Sequence, residues 1–365
     1  MPNPTKILTV IGARPQFVKA SVVSRAFARD GRIEESILHT GQHFSDEMSA
    51  IFFRELGIPA PKYDLGINTL SHGAMTGRML EEIEKVIVAE DPDWVLVYGD
   101  TNSTLAGALA ARKLHRRVAH VEAGLRSFDM RMPEEVNRIL TDRISDILFC
   151  PTTTAVANLE GEGFRSFPVR VVNTGDVMFD AVLFNRKRAR LSPETAASLP
   201  QPLNDFVIAT VHRAENTDNI IRLQGILAAL EEIHRSTPVV LLVHPRTRKL
   251  LGERGIEPKL WLAEPVGYLE MLYLIDKAQI VMTDSGGLQK EAFFLQKCCV
   301  TLRDNTEWTE LVDLGVNVLA GSDREKIIDG FQRCISGEFD FSATPYGDGT
   351  AGEKIVKSLL QSYDS

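Results

Sequence analysis

The stretch Met130–Leu140 reads MRMPEEVNRIL, with a proline where a helix would open, two carboxylates behind it and Arg138 one turn after Glu134. At ~100° per residue, Glu134 and Arg138 share a face opposite the apolar stripe of Val136, Ile139, Leu140 and Ile144. As an exposed i, i+4 pair it would add about 0.3–0.5 kcal/mol. In a cleft the same residues would be an acid–base carboxylate beside its electrostatic partner. Geometry alone does not separate the two, and the residues by themselves put the surface pair ahead. Asp100, in GDTNST, follows an apolar run, and capping the next helix explains it as well as chemistry does. Glu122, in HVEAGLRS, also ends an apolar run, but no helix there needs it, and a charge at that place is costly unless solvated or used.

A second group lies further along. HRAEN crowds His212, Arg213, Glu215 and Asn216 into one loop, and His244 ends VVLLVHPR in the same way. A histidine leaving a strand beside an arginine suits proton transfer or phosphate contact. In MTDSGGLQKEAF a strand gives way to Ser285, Gly286 and Gly287 and then to a helix. Free backbone N–H groups and the positive helix end would bind an anion there, and the glycines would let a phosphate approach. Glu291, about one turn in, could accept from ribose hydroxyls, although Ser-Gly-Gly is also a plain tight turn. Arg14, in GARPQF, could hold a phosphate or be a surface arginine at a helix start. That stretch lacks the glycine spacing of dinucleotide and P-loop sites.

These residues need elements to hold them. Apolar runs at 6–11, 35–40, 94–98, 117–121, 147–150 and 169–173 alternate with amphipathic stretches at 15–29, 46–56, 76–90, 102–115, 133–145 and 152–161. Continuous apolar strands with intervening helices predict a parallel sheet covered on both faces. After LSPETAASLPQPLND (191–205) the pattern restarts, with strands at 206–211, 238–243, 279–283, 298–302 and 316–320. The expectation is an α/β protein of two doubly wound, Rossmann-like domains facing a central cleft. Its ligand would bind where carboxyl ends of strands meet that cleft.

Composition narrows the classes. The 365 residues suit two domains, with 44% hydrophobic and 25% charged side chains. The balance of 41 basic against 49 acidic residues, −8, argues against a nucleic-acid or anionic-membrane partner. The basic run Arg186–Arg190 reads as a solvated helix face. No run is long enough to span a membrane and the start does not read as a signal peptide, so a cytoplasmic protein is expected. The four cysteines, 150, 298, 299 and 334, lack C-x-x-C spacing and read as buried free thiols.

The set GARPQFVKA, TGQH, GDTNSTLAGALAA, HVEAGLRS, MPEEVNRILTDRISDILFCPT, NTGDVMFDA, ATVHRAEN, VHPR, PVGYLEML and TDSGGLQKEAF, in that order over nearly the whole chain, resembles the non-hydrolysing UDP-N-acetylglucosamine 2-epimerases. The resemblance implies a glycosyltransferase-B-like arrangement with an N-terminal domain over 1–175, a UDP-binding domain over 176–345 and a C-terminal helix in 346–365. It implies a homodimer acting on a UDP-sugar, without NAD or metal. By resemblance Asp100, Glu122, Glu134, Arg138 and His212 are the catalytic set, and Arg14, His244, Ser285, Gly286, Gly287 and Glu291 contact UDP. The implied reaction interconverts UDP-N-acetylglucosamine and UDP-N-acetylmannosamine by expelling UDP to a 2-acetamidoglucal and adding it back. TGQHFSDEMS, FFRELGIP and MRMPEE also resemble a branch acting on UDP-2,3-diacetamido-2,3-dideoxyglucuronic acid. Many members read GTRPE and RDTTERPE where this chain has GARPQ and RDNTEWTE, with Trp308 in place of a basic residue.

Overall fold

The computed structural model describes residues 3–42, 53, 55–200, 203 and 205–361. The chain divides into two compact units, residues 1–181 with 344–365, and residues 182–343. The first holds seven parallel strands: β1 (Thr5–Ile11), β2 (Ile33–His39), β3 (Tyr63–Asp64), β4 (Trp94–Tyr98), β5 (Arg117–Val121), β6 (Ile147–Cys150) and β7 (Arg170–Asn173). Their order is β3-β2-β1-β4-β5-β6-β7. β4 and β6 are buried along their whole length, as strands covered on both faces must be.

Helices Arg14–Asp30, His72–Glu90, Asn102–Lys113, Pro133–Ile144 and Thr153–Gly161 fill the crossovers. The helical stretch expected at 46–56 lies largely outside the described residues. The C-terminal helix Ala351–Gln361 belongs to this unit and buries Ile355, Val356 and Leu359. It packs against helix Arg14–Asp30 where Gly352 allows close approach: a Cβ there would meet Val22 at 3.0 Å and Ala26 at 3.4 Å.

The second unit holds β8 (Val207–Thr210), β9 (Val239–Leu242), β10 (Trp261–Ala263), β11 (Ile280–Thr283), β12 (Cys298–Thr301) and β13 (Asn317–Leu319), parallel, in the order β10-β9-β8-β11-β12-β13. Leu223, Leu227 and Leu230 of helix Ile220–His234 pack with Leu241, Met282, Val300 and Phe331 in its core. Each sheet reverses its strand order once, between β1 and β4 and between β8 and β11. Such reversals open a crevice beyond the carboxyl ends of the two strands.

Three differences from the sequence reading are informative. β3 and β10 were not expected: both are edge strands of two or three residues, too short to show periodicity. The stretch read as a plain gap contains helix Pro193–Ser198, capped by the Ser192 hydroxyl, which accepts from the Thr195 N–H at 3.1 Å. The expectation of four free thiols fails at Cys298 and Cys334, which form a disulfide between β12 and helix Arg324–Ser336. Strand and helix pack directly on one another in the core, a proximity that a spacing of 36 residues does not reveal. Cys150 and Cys299 are free and buried, and burial pushes the Cys299 thiol up to about 12.

Candidate active site

At the first reversal, Gln16 ties the two strand ends together. Its side-chain oxygen accepts from the Gly12 and Ala13 N–H groups at 2.8 and 3.0 Å, and its amide donates to the Tyr98 carbonyl at 2.8 Å. The same amide lies 3.0 Å from the hydroxyls of Thr101 and Thr104. A glutamate here could accept but not donate, so GARPQ supplies a cross-link that GTRPE would lack when ionised. Arg14 opens the helix beyond β1, half-buried.

Asp100 does not cap the next helix: Thr101 does, accepting from the Thr104 N–H at 3.3 Å. The Asp100 carboxylate instead takes the Arg138 guanidinium at 2.5 Å, and the Asn137 amide donates to its main-chain carbonyl at 2.9 Å. Burial raises the Asp100 pKa, Arg138 and Lys19 oppose the rise, and the charges of Glu122 and Glu134 add to it. Glu122, at the end of β5, pairs with Lys19 at 2.7 Å, both side chains nearly buried. Glu122 holds φ +70°, a backbone region costly for a non-glycine residue. Its N–H and that of Ala123 donate to the Phe149 carbonyl, both at 3.1 Å.

Helix Pro133–Ile144 reverses the sequence reading. It buries Glu135, Asn137, Arg138, Thr141 and Asp142 and leaves Leu140 46% exposed. Arg138 pairs with Glu135, Nε to Oε2 at 2.9 Å, and not with Glu134, which is exposed. Glu135 also accepts from the Ser127 and Phe128 N–H groups at 3.0 and 2.9 Å. Glu134 still lies close enough for its charge to act on Asp100. A helix that turns its polar side inward is spending packing on electrostatics. Two carboxylates in unlike surroundings, one with a raised pKa and one matched by a lysine, can divide acid and base work.

At the second reversal the organiser is Asp284, fully buried between β11 and helix Gly286–Phe294. Its carboxylate accepts from the main-chain N–H groups of His212 and Arg213 at 3.0 and 2.9 Å and from the Asn216 amide at 3.2 Å. It also faces the His212 Nδ1 at 3.1 Å. Burial works to raise its pKa, but His212 and these donors hold it below the ordinary carboxylate value. His212 is thereby oriented with its ring partly exposed, its centroid 6.2 Å from that of His244.

His244 itself caps helix Pro245–Glu253 by accepting from the Arg246 N–H at 3.3 Å. The Ser285 N–H, expected to be free, donates to Thr283 Oγ1 at 2.9 Å, while the Ser285 side chain leaves the helix start uncapped. A Cβ on Gly287 would meet nothing within 4 Å, and one on Gly286 would come within 3.9 Å of the Arg213 guanidinium. Glu291 is buried one turn in. Trp308 braces this turn, its indole N–H donating to the Gly286 carbonyl at 2.9 Å and its ring covered by the Lys290 ammonium at 3.9 Å.

The family described as UDP-N-acetylglucosamine 2-epimerase matches residues 25–360. The chain belongs to that family. It is 55% identical over 357 residues to the UDP-2,3-diacetamido-2,3-dideoxy-D-glucuronate 2-epimerase of Pseudomonas aeruginosa, covering 98% of this chain and 99% of that one. It is 45% identical over 364 residues to the UDP-N-acetylglucosamine 2-epimerase of Methanocaldococcus jannaschii, covering 97% and 98%. The crystal structure of an M. jannaschii UDP-GlcNAc 2-epimerase in complex with UDP-GlcNAc and UDP superimposes with a TM-score of 0.90 at 44% identity, covering 98% of this chain and 100% of that one.

In this UDP-sugar 2-epimerase the site residues named from sequence fall into two groups. Asp100, Glu122 and Arg138 gather in the first unit, with Glu134 at their margin. His212, His244, Ser285, Gly286, Gly287 and Glu291 surround the reversal of the second unit, while Arg14 belongs to the first. Sequence reasoning missed Lys19, Glu135 and Asp284. Lys19 lay in the quoted GARPQFVKA, and a lysine in the second turn of the helix that follows β1 was its only signal. Glu135 is one residue from the glutamate that was chosen. Asp284 sat visibly beside Ser-Gly-Gly, but its partners lie 71 and 72 residues away.

Proposed function

We propose that this epimerase inverts C2 of UDP-2,3-diacetamido-2,3-dideoxyglucuronate, interconverting the gluco and manno isomers through elimination and return of UDP. The pair Asp100 and Glu122, alike in type and unlike in surroundings, carries the mechanistic part of the reading. The 55% identity to the P. aeruginosa enzyme carries the choice of sugar. The C2 proton has no neighbouring carbonyl, so no enolate stabilises its removal. Breaking the C1–O bond to UDP first builds oxocarbenium character at C1, which acidifies C2–H. A carboxylate takes the proton, the C–H electrons become the C1=C2 bond, and the diphosphate leaves with the C1–O pair. Addition of UDP to C1 with protonation on the other face of C2 completes the inversion.

Such a route needs an acid and a base of separated pKa. It also needs cations and dipoles that stabilise the diphosphate and keep it for return. Asp100 and Glu122 with Lys19, Arg138 and Glu134 would work on the sugar, and His212 on the departing diphosphate. Arg14, His244, Ser285, Gly286, Gly287 and Glu291 would hold UDP. This route moves protons and the C1–O electron pair but no hydride, so it calls for no nicotinamide, and we assign it no metal. EDTA-treated protein should keep its full rate, and a loss restored by a divalent cation would contradict this. The homodimer implied by the family is part of the same proposal, and sedimentation would read it.

UDP-N-acetylglucosamine is the second reading, favoured by the M. jannaschii relative and its complex. Incubating the protein with each sugar in D₂O and following H2 by proton NMR separates them. Exchange with the uronate and none with the acetylglucosamine supports the first reading, and the reverse pattern the second.

A further inference from the structure

His120 lies on β5, two residues before Glu122, wholly buried. Its two ring nitrogens both face acceptors: the Gly99 carbonyl lies 2.7 Å from Nε2 and the Asp142 carboxylate 2.7 Å from Nδ1. A carbonyl can only accept, so Nε2 carries a proton. Asp142 is itself held by the Arg126 guanidinium at 2.8 Å and the Gly124 N–H at 3.2 Å. Arg126 is closed off in turn by a two-point pair with Glu162, at 2.6 and 2.9 Å. The ring is thus held from both sides, by the Gly99 carbonyl at Nε2 and by the Asp142 carboxylate at Nδ1.

What the ring holds is the turn that carries Asp100. Gly99 sits at φ +63°, and a Cβ there would come within 3.2 Å of the Lys19 Nζ and 3.9 Å of a Glu122 carboxylate oxygen. Its carbonyl is fixed by His120, the next carbonyl by Asn137, and the Asp100 side chain by Arg138. On the far side, Asp142 grips Gly124, two residues after Glu122. One buried imidazole is therefore tied to both carboxylates through the backbone and touches neither.

We propose that His120 is a positioning residue for the epimerisation: its Nε2–H bond to the Gly99 carbonyl sets the turn that aims Asp100 and seats the Lys19–Glu122 pair. The inference rests on the reading of Asp100 and Glu122 as the proton-transfer pair.

Two substitutions split the ring's bonds. An asparagine amide reaches the place of Nδ1 and keeps a donor toward Asp142. A glutamine amide reaches the place of Nε2 and keeps a donor toward Gly99. His120→Asn should lower kcat about 100-fold with KM little changed, the loss expected from a small misplacement of reacting groups. His120→Gln should recover most of the rate while being the less stable of the two, since it abandons the charged partner. A purely structural role would rank activity with stability instead. The carbon resonance of the Asp100 carboxyl reads its setting without turnover: it should move in His120→Asn and return in His120→Gln. Wild-type kcat in His120→Asn, equal losses in both variants, or an unmoved Asp100 resonance would overturn the positioning role. A wild-type protein that exchanges no H2 would overturn the functional reading and leave the resonance test standing.

Discussion

Asp100 is pulled in two directions: burial raises its pKa, while Arg138 and Lys19 lower it. The rise prevails, which is the direction that favours a proton donor. Asp100→Asn should cost about 10²–10⁴-fold in epimerisation, the usual worth of a positioned proton-transfer group, while UDP titrated calorimetrically binds with little change. Glu122→Gln should likewise abolish epimerisation and leave UDP binding largely intact; near-normal turnover would remove Glu122 from the mechanism. Glu291→Ala should act on the other property and weaken UDP-sugar binding, and an unchanged dissociation constant would contradict a ribose contact.

Among the elements, helix Pro133–Ile144 departs furthest from pattern. The face opposite its apolar stripe is not a solvent face: the helix buries Arg138 and Asp142 while Glu134 stays exposed. Asp142 is fully buried between His120 and Arg126. Asp142→Ala would remove the buried carboxylate shared by His120, Arg126 and the Gly124 N–H and should lower unfolding free energy by about 3–5 kcal/mol, read by urea denaturation. A change under about 1 kcal/mol would mean the network is solvated.

The strands were legible because both their faces are covered, which writes continuous apolar runs into the chain. The edge strands β3 and β10, with few residues and half their surroundings, wrote nothing. At the candidate site, Asp100, Glu122 and His212 were legible as titratable residues ending apolar runs. Glu135 was not, because choosing between neighbouring glutamates requires knowing which side of the helix is buried. Asp284 was not, because the parallel pairing of β8 with β11 is what brings it under the His212–Arg213 turn.

Across the molecule, each sheet places its cluster at its own strand-order reversal, and in each a buried aspartate fixes the loop, Asp142 in one and Asp284 in the other. These carboxylates also set the acid limit. Asp142 and Asp284 have folded pKa values below their ordinary 3.8. Burial opposes the shift at Glu90, but bonds from Lys62, Tyr63 and Ser36 lower it from 4.5 to about 2. A lowered folded pKa gives stability that is present above the unfolded value and lost as pH falls through the folded one. Their contribution should therefore be fully present well above these ordinary values and fall as acid protonates them, the Glu90 part being lost between 4.5 and about 2, with Asp100, shifted the other way, giving back a part. Urea midpoints that rise on acidification through this window would contradict the assignment. No helix among the described residues is long and apolar enough to cross a membrane.

The most direct test of the central claim is proton NMR of the purified protein with UDP-2,3-diacetamido-2,3-dideoxyglucuronate in D₂O. Deuterium should replace H2 as the manno isomer appears, with no lasting build-up of free UDP. A uronate that keeps its H2, or one that ends as free UDP, would contradict it.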